Sequence, residues 1–271
     1  MLNLLKSDFY KVIKSKLFVV ILSIVGIASI VFTGVYALVN YLASSEVDAT
    51  YMTFQTSVTS SLSLTTNVGI IVPIFAGIII CNDITSGSLR NKVIIGKDRT
   101  LIYISHFIVS MVFNIGIMVV YAGLSAIWGI ILLPTTGFDA LSFFTFLISG
   151  LFAFAFLSSF TTFVALSTKS VPLTIILTII INVALSFIIA IIPEIFLFLP
   201  DGIEKLSDAK IFFAMIPTFT SSSSLLDLIV PETPTNTQII SRFFIGLASD
   251  TVFILLFTLL GIFNFRKKDI K

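Results

Sequence analysis

Between Asn82 and Arg99 the chain reads Asn-Asp-Ile-Thr-Ser-Gly-Ser-Leu-Arg-Asn-Lys-Val-Ile-Ile-Gly-Lys-Asp-Arg. The chemistry these residues offer is docking and charge pairing rather than bond making. Thr85 or Ser86 suits the start of a short helix and Gly96 its end. Leu89 and Val93 then lie one turn apart on one face, with Ser88, Arg90 and Lys92 around them. A compact helix with an apolar ridge and basic flanks, held between two fixed segments, fits a partner's groove and passes on its motion. A plain connecting loop also needs caps and positive charge, so the pattern alone leaves both readings open. Gly96-Lys97 superficially resembles a phosphate-binding loop. Asn91 stands where that motif requires its first Gly, however, and Asp98 where it requires Ser or Thr.

The remaining chemistry-bearing residues are isolated. Asp250 sits within the last apolar stretch, where an ionised group is costly and therefore a functional candidate, and Arg242 lies about two turns upstream on a similar face. One reading is a proton- or ion-coupling pair; the other is a structural hydrogen bond from Asp250 to another span. His106 is the sole histidine and Cys81 the sole cysteine, which leaves no disulfide framework and no shared metal cluster. His106 reads as a polar anchor. Asn67, Asn114 and Asn182 are candidates for hydrogen bonds between helices, and Ser149, Gly150, Ala153 and Ala155 for close helix approach. Phe143, Phe144, Phe146, Phe152, Phe154, Phe156, Phe160 and Phe163 read as lipid contact and packing, or as an adaptable wall for an amphipathic cargo. No paired carboxylates, Ser-His-Asp set or metal-ligand spacing stands out, and no catalysis is expected of this polypeptide.

The elements that carry these residues are apolar. Of the 271 residues 57% are hydrophobic and only 11% charged, against about 25% charged in soluble domains. Six stretches approach or exceed the ~20 residues needed to cross a hydrocarbon core: Leu17–Leu42, Leu64–Cys81, Leu101–Leu133, Phe143–Leu166, Val171–Ile192 and Phe243–Phe265. The first is too long for the apolar core of a signal peptide and reads as a retained span. The third exceeds one crossing, so it tilts, protrudes or bends near Gly116, Gly123 or Gly129. Pro73 interrupts the second, and the carbonyl it frees is tolerable only where a neighbouring helix covers it.

Of the 16 basic residues, all but Lys205, Lys210 and Arg242 fall before the first stretch, between the second and third, after the fourth or after the sixth. Those positions are expected to face the cytosol, with both termini. Residues 1–16 read as a helix lying along the membrane surface, with Leu2, Leu5, Phe9, Val12 and Ile13 in lipid and Lys11 and Lys14 toward anionic headgroups. In the long segment 193–242 the apolar runs Ile195–Leu199 and Ile211–Ile216 are too short to span, and Ser221–Ser224 is polar. That segment is expected to hold re-entrant or interfacial helices. The expectation is one all-α integral membrane domain of six spans, with no separate soluble domain.

An acidic residue after the second span, then Ser-Gly-Ser-Leu-Arg at 86–90, then Gly96 and Arg99 leading into the third span, resembles the acidic-x-x-x-Gly-Thr-Leu-Arg loop of ABC-2 type permeases. These are the membrane subunits of ATP-binding-cassette exporters. The basic N-terminus, the six spans and the long last outer segment are similar as well. Ser88 replaces the commoner Thr, Asp83 the frequent Glu, and Asp98-Arg99 the usual Ser-Arg. The resemblance implies a permease half working with a second copy or a related permease and with two ATPase chains that bind ATP and Mg. Asp83, Gly87, Ser88, Leu89, Arg90 and Val93 would then belong to the coupling helix. It further implies export of amphipathic or antimicrobial peptides, or of other apolar compounds, across a bacterial plasma membrane, with no nucleic-acid partner. The rival readings are an ion-coupled secondary transporter built on Asp250 and Arg242, and a non-transporting membrane component of peptide immunity.

Overall fold

The computed structural model describes residues 2–43, 52–63, 67–135, 138–197 and 236–267, and every regular element among them is an α-helix. In chain order these are α1 (Leu2–Ile13), α2 (Lys16–Ala43), α3 (Phe54–Leu62), α4 (Asn67–Thr85), α5 (Ser88–Ile94), α6 (Arg99–Leu132), α7 (Ala140–Thr168), α8 (Val171–Leu197) and α9 (Asn236–Lys267). Helices α2, α6, α7, α8 and α9 are long and apolar enough to cross a membrane, and α4 with α5 forms a sixth candidate bent by 57°. These helices are compatible with a multi-pass membrane protein. Helix α6 is one uninterrupted helix of 34 residues, with no break at Gly116, Gly123 or Gly129. Most of the segment 193–242, including Ile211–Ile216 and Ser221–Ser224, lies outside the described residues.

The packing is inverted relative to a soluble bundle. Large apolar side chains such as Val31, Leu38, Ile180, Leu259 and Phe263 point outward, while Ser29, Thr33, Ser110, Asn114, Ser158 and Thr178 are buried. Lipid is as apolar as Leu, so helices associate through close contact and polar bridges instead. The bridges are specific: Ser29 with Ser125 at 3.2 Å, Asn114 Nδ2 donating to Ser158 Oγ at 2.7 Å, and Ser159 Oγ donating to the Ile254 carbonyl at 3.1 Å. The Phe-rich face of α7 packs in the same way, with Phe156, Phe160 and Phe163 against Phe257 of α9. Gly261 of α9 sits directly against the Tyr103 ring of α6, so no larger residue fits there without moving that buried ring.

Two elements depart from expectation. Helix α1 does not lay Phe9 and Val12 in lipid. Leu4 and Val12 are buried against the bundle, and the Phe9 ring lies 5.4 Å from that of Phe113, leaving Tyr10 and Ile13 on the outer face. The apolar stripe is real, but the chain's own helices satisfy it. Helix α3 has no counterpart in the hydropathy pattern. Its signal is Thr53-x-x-Thr56, in which each side chain accepts from the other residue's backbone N–H. It is wedged against α6 and α7 because Gly150 leaves room for Leu62, and Gly129 for Phe54.

Pro73 lies inside α4 and has no N–H for the carbonyl four residues earlier. That carbonyl belongs to Gly69, and the Asn182 side-chain amide of α8 donates to it at 3.0 Å. A neighbouring helix thus supplies the hydrogen bond that lipid cannot. Asn182→Ala is expected to lower stability by about 1 kcal/mol, with little loss in a Pro73→Ala background, where residue 73 regains its donor. Denaturant titration of the purified chain in micelles measures both, and equal losses in the two backgrounds would refute the pairing.

Candidate functional site: a charged junction at the basic end

The turn between α4 and α5 depends on one glycine. Ser86 N donates to the Asn82 carbonyl and Gly87 N to the Ile84 carbonyl, which closes α4. Gly87 then takes φ +72, the left-handed conformation that L side chains enter only with strain, and α5 starts at Ser88. The start expected at Thr85 or Ser86 is therefore displaced: Thr85 is the last residue of α4, and its hydroxyl bonds back to Asn82 at 3.2 Å. Gly96, also left-handed at φ +83, follows the other end of α5. Lys97 N reaches back to the Lys92 carbonyl there before Asp98 opens α6.

Helix α5 is amphipathic in the opposite sense to the expected ridge. Leu89 is 2% exposed, within a cluster of Leu4, Ile80, Tyr103, Leu166 and Phe265, and Val93 packs on that cluster. The Leu89–Val93 ridge binds α5 to its own chain. The residues left facing outward are Arg90, Asn91, Ile94 at 70% exposure and, just past the helix end, Ile95 at 75%.

Behind α5 the charged side chains converge. Lys92 Nζ donates to Asp8 Oδ1 of α1 at 2.7 Å and to Asp83 Oδ2 of α4 at 3.1 Å. Lys11 Nζ of α1 donates to Asp83 Oδ1 at 3.2 Å and to Ser88 Oγ at 2.6 Å. Ser105 Oγ of α6 donates to Asp8 Oδ2 at 2.9 Å, and the buried His106 places Nε2 3.9 Å from Asp83 Oδ2. Asp8 is only 4% exposed. Each carboxylate oxygen of Asp8 and Asp83 therefore has a donor or cation facing it, and the two ammonium groups balance the two carboxylates. Burial of charge at this depth is tolerable only when it is paired in this way.

No group of His, Cys, Asp and Glu among the described residues is arranged to hold a metal ion. The junction is built to fix position: α1, α4, α5 and α6 are tied through a few side chains, so α5 does not shift without dragging Asp8 and Asp83.

Of the residues singled out from sequence, Asp83 and Ser88 lie in the junction, Gly87 makes its turn, Leu89 and Val93 lie beneath it, and Arg90 faces away. His106, read from sequence as a polar anchor, is buried with Nε2 facing Asp83 but not hydrogen-bonded to it. Asp8 and Ser105 were not singled out, Lys92 was counted only as a flanking charge, and Lys11, expected to face anionic headgroups, pairs instead with Asp83 and Ser88. A signal was present for Asp8: it is the one acid among the bases of residues 1–16 and shares its helix face with Leu4, Leu5 and Val12, a placement that demands a buried partner. Asp250 and Arg242 lie elsewhere, on α9. Asp250 is 1% exposed, while Arg242 is half-buried and about 12 Å nearer the start of the helix by helical rise.

Fold and junction together define a class: an all-helical chain whose long apolar helices suit a multi-pass membrane protein, with a charge-locked short helix at its basic end. No protein-family model matches the chain, and no curated protein matches it significantly.

Lys92→Met removes the cation between the buried Asp8 and the partly buried Asp83 and is expected to lower stability by about 3 kcal/mol. Adding Asp8→Asn should then recover part of the loss, because the second change removes a stranded charge. Thermal unfolding of the purified variants in detergent measures this; strictly additive losses would mean that the two residues do not interact.

Proposed function

We propose that this chain is the permease subunit of an ATP-driven exporter of the ATP-binding-cassette type, and that α5 is the element through which a separate ATPase moves it. In this reading two ATPase chains carry ATP and Mg, and a second permease copy or a related permease completes the pathway. The basic end faces the cytosol of a bacterial plasma membrane. Amphipathic or antimicrobial peptides, or other apolar compounds, are the cargo.

The observation that carries the reading is the division of α5 into two faces. One face is locked to α1, α4 and α6 by Leu89, Lys92 and Ser88, and the other leaves Arg90, Ile94 and Ile95 exposed. A push on such an element is transmitted rather than absorbed, because the locked face has no slack and Gly87 supplies a defined bend. Exposed apolar side chains beside a cation also have the composition of a contact surface. The contact face in this proposal is therefore Arg90, Ile94 and Ile95, with Leu89 and Val93 as the internal anchor.

Arg90→Glu and Ile94→Glu are surface changes that the fold tolerates. Each is expected to cut ATP-driven export by about tenfold, the effect of roughly 1.4 kcal/mol at one contact, while the permease still inserts and its ATPase still hydrolyses ATP. Export assayed in cells expressing the chain with its ATPase decides this, and undiminished export by both variants refutes the proposal.

One observation favours a second reading, an ion-coupled transporter. Asp250 is buried in the middle of a helix that is otherwise suited to the membrane. Under that reading the isolated chain in proteoliposomes transports on a proton gradient without ATP, and Asp250→Asn abolishes the transport. ATP-dependent export unchanged across pH in Asp250→Asn rules it out.

A further inference from the structure

Where α2, α3 and α6 face one another, their side chains enclose a cavity of about 20 Å³. Thr33 and Tyr36 of α2, Ser57 and Ser60 of α3, and Tyr121 and Ser125 of α6 line it, and among the described residues only Phe32 lines it without a hydroxyl. A buried water needs about 10–15 Å³ of such space and two to four polar partners. Size and lining suit one water, not two.

Two of these hydroxyls give a second, independent indication. Inside a helix a Ser or Thr hydroxyl ordinarily bonds back to a carbonyl three or four residues earlier, as Thr59 and Ser61 of α3 do with Gln55 and Val58. Thr33 and Ser57 do not. Thr33 is 1% exposed and Ser57 2%, yet neither hydroxyl has a hydrogen-bond partner among the described residues, and the two do not bond each other. A buried polar group left unmet costs more than a made hydrogen bond contributes. Both open onto the same cavity.

We propose that this cavity binds one ordered water, held by Thr33 Oγ1 and Ser57 Oγ, which links α2 to α3 beside α6. A hydroxyl has a proton to give as well as lone pairs to fill. Water answers both needs, whereas a bare cation meets only the lone pairs and an anion only the protons. The rim around it is already fixed: Tyr36 donates to Ser60 at 3.2 Å, Ser60 to the Ser57 carbonyl at 2.9 Å, and Ser125 pairs with Ser29 at 3.2 Å. A bridging water is nearly as favourable as a direct hydrogen bond. Helix α3 is thus tied to α2 partly through solvent, and this requires neither an ATPase partner nor ion coupling.

The test is a structure of the full chain in nanodiscs, at a resolution that shows ordered waters, determined once in sodium chloride and once in choline chloride. A peak about 2.7–3.2 Å from both Thr33 Oγ1 and Ser57 Oγ is expected in both salts. Thr33→Val keeps the side chain's shape without its hydroxyl and should abolish the peak, as should Ser57→Ala; Thr59→Val, on the same helix but outside the cavity, should keep it. In the first two variants amide hydrogen exchange over residues 54–62 should quicken about fivefold, the effect of one hydrogen bond lost. No peak in the unaltered chain overturns the proposal, as does a peak that survives both Thr33→Val and Ser57→Ala. A peak seen in sodium and lost in choline identifies a cation and also overturns it. Unchanged exchange in both variants means that the water ties α3 to nothing, and the proposed link fails.

Discussion

Lys92 bridges Asp8 and Asp83, and so joins α1 to helix α5, 84 positions away in sequence, and to the end of α4. Asp8, Asp83 and Lys92 are poorly solvated and Lys11 is exposed, and such pairs add little to net stability, because desolvation or screening offsets most of their attraction. What they fix is register. Any arrangement in which α1 lifts off, or α5 rotates by one residue, strands at least one charge with its partner removed and costs several kcal/mol. The junction thus selects one placement of α1 and α5 out of the many that their apolar faces alone would accept.

The rest of the described bundle obeys the same rule in neutral form. A surrounding lipid offers no hydrogen bonds and no hydrophobic incentive, so buried polar side chains bond back to their own helix, as Thr161 and Thr178 do, or across to a neighbouring one. Asn182 completes the helix that Pro73 interrupts, Asn114 reaches Ser158, and Ser159 reaches the Ile254 carbonyl. Close approach then requires small residues at a few points, which is why Gly261 faces Tyr103 and Gly150 faces Leu62.

Span positions were legible because they depend on length and hydrophobicity, which one sequence contains in full. Boundaries agree within a few residues for α2, α6 and the start of α8, and the requirement that Pro73 creates was readable without knowing that Asn182 meets it. The direction of an amphipathic face was not legible. Leu89 and Val93, or Phe9 and Val12, form a stripe equally suited to a partner, to lipid or to the chain's own core, and only tertiary contact decides among them. Asp8 on such a stripe could have decided it for α1, since a carboxylate excludes lipid and requires a cation within the protein. Helix α3 escaped for a different reason. It is short and rich in hydroxyl residues, and it is held by caps and by the space left at glycines of other helices rather than by hydropathy.

Helix α6 relates the junction to the far end of the bundle. It touches α1, α2, α3, α4, α5, α7 and α9, and at 34 residues it is about 50 Å long. Near its start Ser105 and His106 meet the charges, midway Asn114 meets α7, and toward its other end Ser125 and Gly129 meet α2 and α3. An unbroken helix moves as a rod, so a displacement at Asp8 and Lys92 that tilts α6 reaches α3 without any intermediate side chain having to rearrange. Helix α3 is held by hydrogen bonds to the segments around it, including Phe54 N to the Pro134 carbonyl and Tyr36 to Ser60, with Gln55 accepting from Asp139 N. The bundle therefore has its charge lock at one end, a hydrogen-bonded wedge at the other, and a rigid member between them.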